Sequence, residues 1–80
     1  MDDQEIIARI GSLAEEEQRL EKQHVGEGLS EEEESRMRAL EVTLDQLWDL
    51  LRQRRALRSA GRSPDGASLR AEGTVEGYRQ

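Results

Sequence analysis

Four groups of residues in this chain have side chains that could do chemistry. Glu21 and His24 stand three apart in Glu21-Lys22-Gln23-His24, the spacing that sets a carboxylate and an imidazole on one helix face in di-metal bundles. Two copies of the chain, with Glu17 or Glu41 adding carboxylates, would be needed to fill a coordination sphere. His24 is the single histidine and glycines follow it at once, so its expected place is beside the last carbonyls of a helix, not on a metal. Gly26-Glu27-Gly28 lacks the lysine and the strand-to-helix setting of a phosphate loop. The serines and threonines have no histidine partner, so no nucleophile is activated. The expectation is a chain with no cofactor, no metal and no catalytic residue, and hence not an enzyme.

Arg52, Arg54, Arg55, Arg58 and Arg62 make the second group, a dense basic cluster. Such a cluster can hold phosphate, nucleic acid or an acidic protein. It also suits a helix C-terminus, where cations complement the dipole, and folding can bring the acidic Asp2, Asp3 and Glu5 beside it. Aromatic residues, on which single-stranded bases would stack, are not interleaved with it. Arg54, Arg55 and Arg58 are the candidate contacts for an acidic partner, and nucleic acid is not the expected one. The third group is Glu31 to Glu34, whose four carboxylates suit the positive end of a helix dipole better than a cation site. The fourth is Trp48, the single tryptophan, read as a seam or interface anchor.

The elements that position these groups follow from composition and spacing. Eighty residues with 34% hydrophobic, 38% charged and no cysteine can build a helical seam but not a thick core. Disulfides and zinc–thiolate sites are excluded, and self-association is the remaining way to add buried area. The net charge of −6 argues against general nucleic-acid binding, but it is unevenly spread. Residues 1–51 hold 15 acids and 5 bases, whereas residues 52–80 hold 7 bases and 3 acids. The acidic start is unlike a signal peptide, and no apolar run is long enough for a membrane span, so a cytoplasmic location off the membrane is expected.

Ile6, Ile10, Leu13 and Leu20 share one face of a helix predicted over 3–23, with Asp2 and Glu5 imitating a capping box. Ile7 and Ala14 widen that stripe on one flank. Glu17 occupies a position where the seam would favour an apolar residue. A glycine-bearing turn is predicted over 24–29, and it forces the flanking helices side by side and antiparallel. Ser30 and Glu33 begin a second helix predicted over 30–60, with Met37, Leu40, Leu44, Leu47 and Leu51 at alternating spacings of three and four. Gly61 supplies its C-terminal stop. The fold class is therefore all-α: an antiparallel, coiled-coil-like two-helix hairpin over 1–60, with an irregular tail over 61–80.

The second helix is about 45 Å long against roughly 32 Å for the first, and its apolar arc is wider than one seam. Leu50 and Leu57 fall to one side of the seam and Trp48 to the other. A second copy of the chain is the expected cover, giving a homodimer and a four-helix bundle through Trp48, Leu50, Leu51 and Leu57. The competing arrangement folds the tail, with its Ser63-Pro64-Asp65-Gly66 turn signal, back over Leu57.

The opening MDDQEIIARI, the central LSEEEESRMRALEVTLDQLWDLLRQRRALR, the AGRSPDGA turn and the closing VEGY resemble a small uncharacterised actinobacterial family, the domain of unknown function 2630 family. The resemblance covers nearly the whole chain, and LDQLWDLLRQRRA is its most specific part. It implies a short bacterial cytoplasmic protein with no assigned activity and carries over no site residue. The functional expectation is a self-associating interaction or regulatory module with a possible further protein partner. The alternative is a small nucleic-acid- or phosphate-binding accessory protein that uses the arginine cluster.

Overall fold

The computed structural model describes residues 1–23 and 28–70. Two helices, α1 (Asp3–Gln23) and α2 (Glu31–Ser59), pack as a hairpin, and a single 3-10 turn follows at Pro64–Gly66. His24 and most of the predicted turn over 24–29 lie outside the described residues, as does the tail beyond Arg70.

Both helices begin with reciprocal caps. The Asp2 carboxylate accepts from the Glu5 amide at 2.8 Å, and the Glu5 carboxylate accepts from the Asp2 amide at 3.2 Å. At α2 the Ser30 hydroxyl accepts from the Glu33 amide at 3.2 Å, and Glu33 returns the bond to the Ser30 amide at 3.0 Å. Each box satisfies amides that the first helical turn leaves without partners.

The core lies between the helices. Ile6, Ile10, Leu47, Leu50 and Leu51 are buried together, with Leu13, Leu44 and Ala67 packed against them. Leu40 is buried further toward the hairpin turn. Ala67 belongs to neither helix, and its presence shows how the wide face of α2 is covered within one chain.

The cover begins at the end of α2. The Arg62 amide donates to the Leu57 carbonyl at 2.8 Å and the Gly61 amide to the Arg58 carbonyl at 3.0 Å, the paired bonds of a Schellman stop. Gly61 has φ +73°, where a side chain would meet the backbone, and this left-handed residue turns the chain back toward α2. The Ser63 hydroxyl accepts from the Asp65 amide at 3.2 Å and starts the 3-10 turn. The strand of chain that follows then runs back along α2. The Gln53 side-chain amide donates to the Ser68 carbonyl at 2.7 Å, and the Gln46 side-chain amide to the Arg70 carbonyl at 3.3 Å.

The tail therefore takes the flank holding Leu50 and Leu57, which the sequence reading gives to a second chain. The physical reason is local. The Schellman stop fixes the direction of exit, and polar side chains on α2 satisfy the returning backbone. Gly61→Ala tests that reversal. No neighbouring atom would touch the added methyl, so the effect is backbone strain alone, about 1 kcal/mol. Thermal unfolding should shift down by roughly 4–8 °C, as expected for a domain of this size.

Candidate interaction face

The hairpin and its tail put the sequence's candidate residues into three separate settings. The first is the arginine cluster. Arg54 is only 7% exposed, and its Nε donates to Asp3 Oδ1 at 2.5 Å. Arg58 donates to the other oxygen of Asp3, and Arg54 also donates to the Pro64 carbonyl at 3.3 Å. Asp3 thus clamps the start of α1 to the last turns of α2. These hydrogen bonds from Arg58 and Arg54 hold the Asp3 carboxyl down at about 2, well below its ordinary 3.8. Of the three arginines proposed for an acidic partner, only Arg55 is left outside this clamp. It is exposed and forms no ion pair among the described residues.

The second setting is the tail contact, which the sequence reading does not single out. Asp49 is fully buried, and Arg70 reaches it with two donors, at 2.6 and 2.9 Å. Gln53 donates to the same carboxylate at 2.9 Å. Burial alone would raise the Asp49 pKa, but the bonds from Arg70 and Gln53 outweigh it and the net direction is down. A signal was present in the sequence: an acid in the middle of an apolar stretch, with a lone arginine just past a turn. The separation of 21 residues hid the pairing.

Beside this contact is an open groove of about 480 Å³ lined by Arg52, Gln53, Ala56, Leu57, Gly66 and Arg70. Its floor is apolar and its charges are cationic. None of these side chains is a proton-transfer group near neutral pH, so the groove can hold an anionic or apolar group but offers no acid–base pair. Among the described residues no three acidic or histidine side chains group closely enough to hold a metal ion. The Glu21 and His24 pair remains undefined, because His24 is outside the described residues.

The third setting is the opposite flank. Trp48 is 44% exposed and Ile7 is 53% exposed. Of the two roles expected for Trp48, seam or interface anchor, the seam is filled by Leu47 and Leu51, and Trp48 lies on its flank. In an antiparallel pair the residues one step after two facing core residues emerge on the same side of the pair. Ile6 and Leu47 both enter the core, so Ile7 and Trp48 share a side. Ala14, seven residues after Ile7, and Leu44, four residues before Trp48, are half-buried and extend the same surface. Of the four residues proposed for self-association, Leu50 and Leu51 are buried within the single chain, and Leu57 is half-buried beside the tail. Trp48 is the one that remains largely in water.

Between the helices near the turn, Glu17 carries a raised pKa. Partial burial is the main cause, and Glu21 and Glu41 add to it. On the other edge, Arg36 closes the helix pair on Glu16 with bonds at 2.5 and 2.8 Å.

The two kinds of shift have opposite consequences for stability. Asp3 has a depressed pKa, so its contribution is present above 3.8 and is lost as pH falls toward about 2. An Asp3→Asn variant should be less stable at pH 7, and its melting temperature should converge on wild type at about pH 2. Glu17 has a raised pKa, so relative stability is greatest below its ordinary 4.5 and falls as pH rises through the higher folded value. A Glu17→Gln variant should melt higher than wild type at pH 7, with the gap closing below about pH 4. Arg70→Ala should lower unfolding free energy by about 2 kcal/mol in urea titrations. That is less than the ~3–5 of a wholly buried pair, because the Arg70 side chain keeps 34% of its surface exposed.

Comparison with known proteins adds family membership. Residues 2–80 match the family model described as Protein of unknown function (DUF2630). Uncharacterized protein Rv0898c of Mycobacterium tuberculosis is 49% identical over 77 residues, covering 95% of this chain and 88% of the relative. Uncharacterized protein Mb0922c of Mycobacterium bovis matches to the same extent. No solved structure matches. The chain belongs to the DUF2630 family, whose members carry no assigned function in these comparisons.

Proposed function

We propose that the protein is a non-enzymatic helical interaction module that self-associates through the side of the hairpin carrying Ile7 and Trp48. One observation carries this reading: Ile7 and Trp48, two large apolar side chains, are 53% and 44% exposed on the same side of the hairpin, whereas on the other side the tail covers Leu50 and leaves Met1 and Leu69 as the exposed apolar groups. Full burial of such a side chain is favourable by about 1.5–3 kcal/mol, and roughly half of that is left to gain here because each is already about half covered; a two-fold contact would bury one of each from both copies. Two hairpins stacked on that side form a four-helix bundle, which adds the buried area that an 80-residue chain lacks. The cysteine-free composition suits a reducing compartment such as the cytoplasm, and no helix among the described residues is long and apolar enough to cross a membrane. Phosphate or nucleic-acid binding by the arginine cluster has less support, because Arg54 and Arg58 direct their charge at Asp3.

Sedimentation equilibrium of the purified chain tests this reading. A dimer at micromolar concentration is expected, and Trp48→Ala should weaken it by about tenfold or more while leaving helicity unchanged. The fluorescence of Trp48 should move to shorter wavelength as dimer forms. A wild-type chain that stays monomeric up to about 100 μM overturns the reading.

A further inference from the structure

The exposed side of α2 carries a charge order of its own. Glu34, Glu41, Trp48 and Arg55 recur every seven residues, and Arg62 follows seven residues further on, just past the helix stop. All five are exposed, and among the described residues the four charged ones form no ion pair. Residues seven apart lie on one stripe of a helix, each about 10.5 Å beyond the last. Within the helix the stripe therefore reads acid, acid, tryptophan, base; Arg62 lies past the Gly61 reversal and is not on it.

From this order we propose that the occupant of the face is a second copy of the chain with its α2 antiparallel, so that Trp48 lies at the two-fold axis and Glu41 of each copy faces Arg55 of the other. A two-fold contact places residue i against j and j against i. With the axis at Trp48, position −7 meets +7. Glu41 then faces Arg55, twice. The apolar centre is buried and the charges pair at the rim, the usual division between affinity and orientation.

The opposite orientation is disfavoured by the same residues. With the long helices parallel, acidic ends would meet acidic ends and arginines would meet arginines. Helix α1 strengthens this polarity. Its stripe on the same side runs Ile7, Ala14, Glu21, again every seven residues, and so adds a carboxylate at the end where Glu41 stands. Glu21 and Glu41 both act on Glu17, so negative charge is concentrated there. An antiparallel second copy brings its arginine end to this charge.

This inference rests on the self-association reading, and charge reversal separates the two. Glu41→Arg alone and Arg55→Glu alone each turn two attractive pairs into repulsive ones. Each should raise the dimer dissociation constant by at least about tenfold at low salt. The double variant Glu41→Arg/Arg55→Glu restores opposite charges across the axis and should return to within about threefold of wild type. All three change only exposed positions, and circular dichroism checks that helicity is kept. The absence of native cysteine gives a second readout that does not depend on charge. Mixed Glu41→Cys and Arg55→Cys chains should form a mixed disulfide, whereas Glu41→Cys chains alone should not crosslink across the axis. A wild-type monomer overturns both readings. A wild-type dimer that ignores single reversals, or that crosslinks Glu41→Cys to itself, overturns the antiparallel arrangement and leaves self-association standing.

Discussion

The constraint on which this structure depends is the width of the apolar surface of α2. Leu40, Leu44, Leu47 and Leu51 make a stripe that one helix can cover, and α1 covers it. Leu50 and Leu57 extend the surface on one flank, and Trp48 extends it on the other. A single neighbouring helix spans too narrow an arc to reach both flanks. The chain meets this by dividing the surface: α1 takes the centre, and residues 64–70 take the Leu50 flank, with Ala67 entering the core. What is left is the strip around Trp48. The exposed face is thus the remainder of a packing problem that the single chain solves for two of three parts.

Polar contacts decide how that division is held. Asp3 accepts from Arg54 and Arg58, fixing the first turn of α1 against the end of α2. Arg70 closes on buried Asp49, fixing the tail on the far side. Neither pair is equivalent to apolar burial in stabilising power, since desolvation offsets much of the attraction. Their effect is specificity of placement. A tail shifted by one residue would leave Asp49 buried without its cation, and a hairpin shifted by one turn would separate Asp3 from both arginines. A thin core made mostly of leucine does not by itself choose among such registers, and the charged contacts supply the choice.

The sequence was most legible where information is local. The two helices, the Ser30–Glu33 box and the Gly61 stop each follow from residues within a few positions of one another. The pairing of acidic N-terminus with arginines was legible as a consequence of antiparallel folding, although the choice of Asp3 as the acceptor for Arg54 and Arg58 was not. The path of the tail was not legible. It depends on Gln53, Gln46 and Asp49, polar residues whose value appears only when a distant backbone arrives beside them. Ile7 was visible as a widening of the first stripe and Trp48 as an outlier of the second. Joining them required the symmetry of the antiparallel pair, which no single stripe displays. The result changes which leucines remain for a partner: Leu50 and Leu51 leave the surface, while Trp48 stays on it.

This redistribution also explains why the charge asymmetry of the chain has two layers. One layer is consumed internally, as the acidic start of α1 meets the basic end of α2. The other persists along the exposed stripe, where the acids Glu34 and Glu41 are separated from the base Arg55 by the apolar centre. Within one hairpin these charges cannot meet, because a straight helix holds positions fourteen residues apart at about 21 Å. In the proposed dimer a second helix running in the opposite direction brings them together. The rigidity that makes α2 a good scaffold for the hairpin is therefore also what keeps its outer acids and bases apart within one chain.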